Sequence, residues 1–276
     1  MTLNNDNALH GKIITCIGAG NMAFSLLNGL LGAGHPGGSL RAADVLRTQL
    51  ERYAPLGITT YSDNAQAIAK ADIVVLAVKP QVLQKVLAEL PLARHQLLIS
   101  IAAGIPIRTL EANSPPQQSV VRCMPNTPAL VGAGISALFG NGSVSADHRA
   151  QVETLLRSVG KVIWVEDERQ LDAVTAVSGS GPAYFFYVME AMVRAGMELG
   201  LSREAATRLT IETAYGAALL ARESDQDPAT LRTNVTSPGG TTERALAIMN
   251  DAGVADAIVR ALHGAAGRSA ELAKEL

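Results

Sequence analysis

Along residues 1–166 the spacing of apolar positions keeps changing period. Short, nearly continuous apolar runs alternate with segments in which apolar residues recur every third or fourth place, with glycine, proline or polar residues between them. "KIITCIG" (12–18), "SLRAADV" (39–45), "GITTY" (57–61), "ADIVVLAV" (71–78), "QLLISIA" (96–102), "SVVRCM" (119–124), "GISALFG" (134–140) and "KVIWVED" (161–167) predict strands. The run at 71–78 is apolar throughout, as a strand buried on both faces requires. Between these runs, "NMAFSLLNGLLGAG", "RTQLERY", "SDNAQAIAKA", "QVLQKVLAEL", "PIRTLEA" and "SADHRAQVETLLRSVG" predict helices, the third capped by Ser62 or Asp63 and the fifth opened by Pro106. Strand–helix alternation of this kind predicts an α/β domain, a parallel sheet with helices on both faces.

From residue 167 the strand signals stop. "GPAYFFYVMEAMVRAGMELGL" (181–201) is helical in spacing but apolar around nearly its whole circumference, interrupted by Glu190, Arg194 and Glu198 at i,i+4. Such a helix must be buried on all sides. The segments that follow, "REAATRLTIETAYGAALLARE", "DPATLRTNV", "TTERALAIMNDAG" and "DAIVRALHGAAGRSAELAKEL", predict amphipathic helices. A helical domain this small cannot easily hide one helix completely, so a second copy of the chain is expected to help cover it. The predicted organisation is therefore a sheet domain, 1–166, and an all-helical domain, 167–276.

Composition narrows the class. With 276 residues, 48% hydrophobic and 17% charged, the chain has the length and apolar content for a full core. A formal net charge of −2 gives no global attraction to nucleic acid or to an anionic membrane. The longest apolar run, "LLISIAAGIPI" from Leu97, is too short and too broken by glycine and proline to span a bilayer. The opening "MTLNNDNALHGK" lacks the charged-then-apolar pattern of a secretory signal. A cytoplasmic protein is expected. Cys16 and Cys123 lie in strand-like apolar surroundings and read as buried, reduced thiols. The five histidines are scattered without ligand spacing, so no metal site is expected.

Candidate chemistry begins at the first turn. "IGAGNMA" places Gly18-x-Gly20-x-x-Ala23 between the first strand and the first helix. Gly18 permits the tight turn, Gly20 lets a pyrophosphate approach the backbone, and Ala23 is small enough for helix and strand to pack. This is the dinucleotide pattern of a Rossmann-type domain. At the end of the second strand stands Asp44, which either bonds a ribose 2′-hydroxyl or caps the next turn; Arg41 and Arg47 nearby could offset its charge, so NADH and NADPH both remain open. Two further loops fall at the carboxyl ends of strands, where ligands of open α/β sheets bind: Ala77, Val78, Lys79 and Pro80, and Ala102, Ala103 and Gly104. Lys79 reads as a catalytic lysine, a phosphate contact or a solvated loop residue. In "CMPNTPA", two prolines fix the backbone around Asn126, which is a third candidate beside the nicotinamide ring.

The helical half adds two loops rich in glycine, serine and threonine and nearly free of charge, "AVSGSGPAYFF" with Ser178 and "VTSPGGTT" ahead of a helix. Small residues in the first suit either a partner helix or a ligand. The second aims backbone N–H groups and the positive end of a helix dipole at a small anion.

Taken in order, "IGAGNMA", "AVKP", "RCMPNTPA", "TAVSGSGPAYFF" and "LRTNVTSPGGTTERA" resemble the pyrroline-5-carboxylate reductases along essentially the full chain. The resemblance implies a Rossmann domain followed by a helical dimerisation domain, with dimers assembling into larger rings such as a decamer. It implies NAD(P)H-dependent reduction of the cyclic imine Δ1-pyrroline-5-carboxylate to L-proline. By match to the family's motifs, Gly18, Ala19, Gly20, Asn21, Met22, Ala23, Asn64, Val78, Lys79, Ala103 and Gly104 would line the cofactor. Asn234, Gly239, Gly240, Thr241 and Thr242 would hold the substrate, and Glu168 lies near an acidic substrate-side position of the family; Ser178 is a further substrate candidate, and the Thr242 hydroxyl is expected to hydrogen-bond the imine nitrogen. Asp44 departs from the serine or threonine of phosphate-preferring members. Two rival readings are weaker. A β-hydroxyacid-type dehydrogenase needs a lysine early in the helical domain, and none occurs between Asp167 and Arg222. A nucleotide sensor would have no use for two small-anion loops.

Overall fold

The computed structural model describes residues 8–275. Most of the opening segment, from which the absence of a secretory signal is expected, lies outside them. The chain divides into two compact units: one runs through Ser180 and takes back the residues from Ala265 onward, and the other is Gly181–Gly264.

The first unit is built on one eight-stranded sheet, β1 (Ile14–Ile17), β2 (Leu40–Ala43), β3 (Thr59–Tyr61), β4 (Ile73–Leu76), β5 (Leu97–Ser100), β6 (Val120–Met124), β7 (Gly134–Gly140) and β8 (Gly160–Trp164). Their spatial order is β3-β2-β1-β4-β5-β6-β7-β8. Strands β1 to β6 are parallel, with Ile14 opposite both Leu40 and Ile73. The sheet departs from the expected all-parallel form at its end: β7 runs antiparallel to β6, pairing Cys123 with Leu138, and β8 is parallel to β7. Periodicity marks a strand without giving its direction, which is set by the connection, here the short one through residues 125–133.

Helices α1 (Asn21–Gly32), α2 (Arg47–Leu50), α3 (Asn64–Ile68), α4 (Pro80–Ala88), α5 (Ile107–Ala112) and α6 (Ala146–Arg157) connect the strands. Each core strand from β1 to β5, apart from the edge strand β3, is buried or nearly so along its length, which is why these runs carry no polar face. Two apolar clusters result: one holds Leu26, Leu27 and Leu30 of α1 with Val152, Leu155 and Leu156 of α6, the other Leu83 and Leu87 of α4 with Ile107 and Leu110 of α5. Asp63, not Ser62, caps α3, accepting from Gln66 N–H.

After β8 the chain turns into α7 (Gln170–Val174), a π-helical turn (Thr175–Gly179) and α8 (Gly181–Glu198). The serine-glycine segment read as a loop is therefore helical. Ser180 N–H reaches back five residues to the Thr175 carbonyl, and the hydroxyls of Thr175 and Ser178 donate to the Leu171 and Val174 carbonyls, so no side-chain bond pulls the backbone out of the helix. The second unit packs α8 against α9 (Arg203–Glu223), followed by α10 (Pro228–Asn234), α11 (Thr241–Asp251) and the start of α12 (Val254–Glu275). On α8, Phe185, Phe186 and Tyr187 are exposed in the single chain. Among the described residues, no helix is long and apolar enough to cross a membrane.

Candidate active site

Strand β1 has β2 on one side and β4 on the other, so the chain leaves it in the reversal of strand order where open α/β sheets bind ligands. The turn after it is shaped by its glycines. Gly18 has φ +94°, and a Cβ there would lie 2.7 Å from the Ala77 carbonyl oxygen, so no other residue fits. Gly20 is the N-cap of α1, extended and without a side-chain cap, and a Cβ on it would meet nothing within 4 Å. The first amides of α1 thus open onto free space, the cradle a pyrophosphate needs. Ala23 is fully buried between helix and sheet. The residues present fit a dinucleotide.

Side chains from two neighbouring elements brace this turn. Asp44 Oδ2 accepts from Ala19 N–H at 2.8 Å and its Oδ1 from Leu46 N–H at 2.9 Å. Arg52 donates to the Ala19 carbonyl at 2.6 Å and to Asn21 Oδ1 at 2.9 Å, with its guanidinium over the rings of Phe24 and Tyr53. Arg52 escaped the sequence reading; it sits at the end of an amphipathic segment, where arginine is usually solvated.

Ala77 and Val78 follow β4, Lys79 caps α4 and is exposed, and Pro80 takes the first helical position. Ala102 and Ala103 lead to Gly104 at φ +75° beyond β5. Asn64 opens α3, past β3. Glycine turn, Asp44 and these two loops share the carboxyl end of the parallel strands. Met22 packs against the core as part of α1.

Asn126 is engaged through its whole side chain. Its Oδ1 accepts from Ile135 N–H at 3.0 Å and its Nδ2 donates to the Ser178 carbonyl at 3.3 Å, tying the proline-bounded turn to the π-helical turn. Glu168 is likewise occupied: Oε1 accepts from Arg122 Nη1 at 2.9 Å and from Ile107 N–H at 2.7 Å, the first amide of α5. Arg122 is buried on β6. Its partner is distant in sequence, and the one signal was a lone arginine inside an apolar strand. Burial raises the thiols of Cys16 and Cys123 to about 12, so neither is a nucleophile. Among the described residues no group of His, Cys, Asp and Glu could hold a metal ion.

In the second unit, Asn234 ends α10 and donates from Nδ2 to Gln226 Oε1. The loop that follows turns at Gly239, φ +69°, and Gly240 caps α11 with its N–H on the Ser237 carbonyl. Thr241 and Thr242 occupy the first positions of α11, with no side-chain hydrogen bond to another described residue. Glu243, third in the helix, reaches back so that its Oε2 accepts from Gly239 N–H at 2.7 Å. A carboxylate of the chain itself rests on the anion-seeking loop.

Comparison with known proteins matches both halves. The family described as pyrroline-5-carboxylate reductase dimerisation matches residues 168–272, and that described as NADP oxidoreductase, coenzyme F420-dependent, matches 13–104. A pyrroline-5-carboxylate reductase of Pseudomonas aeruginosa is 51% identical over 95% of this chain and 97% of its own length. The structure of a pyrroline-5-carboxylate reductase from Coxiella burnetii superposes with a TM-score of 0.89 at 39% identity, covering 95% of this chain and 98% of that one. A pyrroline carboxylate reductase from Plasmodium falciparum, solved with NADP bound, gives 0.86 at 29% identity, covering 95% and 98%.

Proposed function

The chain belongs to the pyrroline-5-carboxylate reductase family, and on that premise we propose which of its residues bind and orient the reactants. It is an NAD(P)H-dependent oxidoreductase of proline biosynthesis. The substrate is Δ1-pyrroline-5-carboxylate and the product L-proline. Gly18 to Ala23 cradle the pyrophosphate of the dinucleotide, and the loops after β4 and β5, with Lys79 and Gly104, border the rest of it. When bound, the reduced nicotinamide supplies the hydride that adds to the imine carbon.

The substrate carboxylate docks on the amides of Thr241 and Thr242, where unsatisfied N–H groups and the positive end of the α11 dipole coincide. Asn234 and Gly239 flank that position. Holding the five-membered ring by its carboxylate fixes which carbon is presented, and orientation of this kind supplies a large part of the rate. The imine enters protonated, and the Thr242 hydroxyl oxygen accepts the iminium N–H. After reduction the C=N bond has become C–N, and the nitrogen keeps the proton it arrived with. Glu168 holds the start of α5 and Arg122 in place beside the sheet. The exposed apolar face of α8 supports a homodimer, and we extend that to a ring of dimers such as a decamer, in the cytoplasm.

The observation that carries this reading is the pair Thr241 and Thr242 at the glycine-opened N-terminus of α11, whose side chains make no hydrogen bond among the described residues. Substituting Thr242→Ala is expected to lower kcat at least about tenfold, some 1.4 kcal/mol of transition-state stabilisation, while nucleotide affinity stays unchanged. Steady-state kinetics beside a nucleotide titration checks both. Unchanged turnover removes Thr242 from the mechanism.

A further inference from the structure

A dinucleotide seated on the turn after β1 would be held by backbone amides, so the groups that aim those amides matter as much as the amides themselves. The N–H groups of Gly20, Asn21, Met22 and Ala23 have no acceptor among the described residues. Ala19, just before them, is gripped at both ends: its N–H donates to Asp44 Oδ2, and its carbonyl accepts from Arg52 Nη2 at 2.6 Å. No peptide bond of the described residues is cis, and in a trans peptide the C=O and the N–H point opposite ways. Fixing the Ala19 carbonyl on Arg52 therefore turns the Gly20 N–H away from the arginine, and a Cβ on Gly20 would meet nothing within 4 Å.

The other arm of the guanidinium sets a second donor. Arg52 Nη1 donates to Asn21 Oδ1 at 2.9 Å. Arginine only donates, so Asn21 must give it the amide oxygen, which leaves Nδ2 as the free end. The guanidinium is itself locked, 4.7 Å from the centroid of the Phe24 ring and 5.4 Å from that of Tyr53, two rings that meet edge to face. Its Nε is buried with no hydrogen-bond partner. An arginine in solvent would leave no donor unpaired, so this placement costs the chain a hydrogen bond, as groups held for a function do.

We propose that Arg52 is a positioning residue for the dinucleotide diphosphate: its planar fork aims the Gly20 N–H and the Asn21 side-chain amide, and it keeps a fixed positive charge beside the turn. The proposal rests on reading Gly18 to Ala23 as the dinucleotide turn. It goes further in assigning part of that turn's affinity to a side chain outside the glycine pattern. The diphosphate is common to both nucleotides, so Arg52 strengthens NADH and NADPH alike.

Binding without substrate tests it. NADH and NADPH are titrated into the whole protein, following nicotinamide fluorescence at fixed ionic strength. Arg52→Met keeps an apolar stem on the two rings and removes fork and charge, and should weaken both nucleotides at least about tenfold, about 1.4 kcal/mol each. Arg52→Lys keeps the charge without the planar fork and should stay at least about fivefold weaker than wild type. A double-mutant cycle separates positioning from support of the fold: Asn21→Ala should cost at least about fivefold in the wild type and less than about twofold in Arg52→Met. Unchanged affinity in Arg52→Met overturns the proposal, as does full affinity in Arg52→Lys or an Asn21→Ala effect that does not depend on Arg52. Should Arg52→Met fail to fold, the cycle is run with Arg52→Lys and read the same way. A wild type that bound neither nucleotide would strike at the reading of the turn itself, a different failure.

Discussion

At the scale of single residues, several of the groups expected to meet ligands are already held by neighbours, and the manner of holding differs. Asn126 and Glu168 are enclosed in bonds to distant backbone and to a buried arginine, so on the proposed reading they act as supports. Asp44 and Glu243 are carboxylates resting on amides at a glycine turn, one in each compact unit. On the proposed reading, Glu243 stands where the incoming substrate carboxylate must displace it. Glu243→Gln keeps the length of the side chain and removes its charge. The KM for pyrroline-5-carboxylate is therefore expected to fall by about two- to fivefold, since like charges close together disfavour each other. Initial-rate kinetics over a range of substrate concentrations checks this; a raised KM would show that Glu243 assists the substrate rather than competing with it.

At the scale of elements, what could be read depended on whether the signal was local. The Gly18-x-Gly20-x-x-Ala23 turn was legible because its geometry needs only a few adjacent residues, and the strands because each apolar run is buried on both faces. The π-helical turn at Thr175–Gly179 was not, since serine and glycine ordinarily signal a loop, while here the backbone continues helically through a Ser180 N–H bond to the Thr175 carbonyl. The bridging roles of Arg122 and Arg52 were hidden for another reason: their partners lie far away in sequence. Helix α8 shows how a correct pattern can point outside the chain. Its circumference is apolar, yet Phe185, Phe186 and Tyr187 are 68%, 63% and 75% exposed, surface that a second copy would bury. Burying a phenylalanine is worth about 1.5–3 kcal/mol, and a dimer would bury two copies of each. Phe186→Glu should therefore halve the mass seen by light scattering after gel filtration while the sheet signal in circular dichroism persists. An unchanged mass would place the interface elsewhere.

At the scale of the whole molecule, two architectures divide the chemistry. A sheet flanked by helices presents backbone amides at the reversal of its strand order, and a helical unit presents amides at the start of α11. In both, a glycine precedes the first turn of a helix, the arrangement that suits an anion. The strand pattern forecast the alternation but not the reversed direction of β7, because sheet direction is a property of connections rather than of runs. The central claim is that main-chain amides of the second unit hold the substrate's negative end. A crystal structure with L-proline and oxidised nucleotide tests it most directly. The account predicts the proline carboxylate within hydrogen-bonding distance of the Thr241 and Thr242 amides, with the ring nitrogen turned to the Thr242 hydroxyl and Glu243 displaced from Gly239. A proline carboxylate bound elsewhere, with Glu243 still on Gly239 and the start of α11 empty, would contradict it.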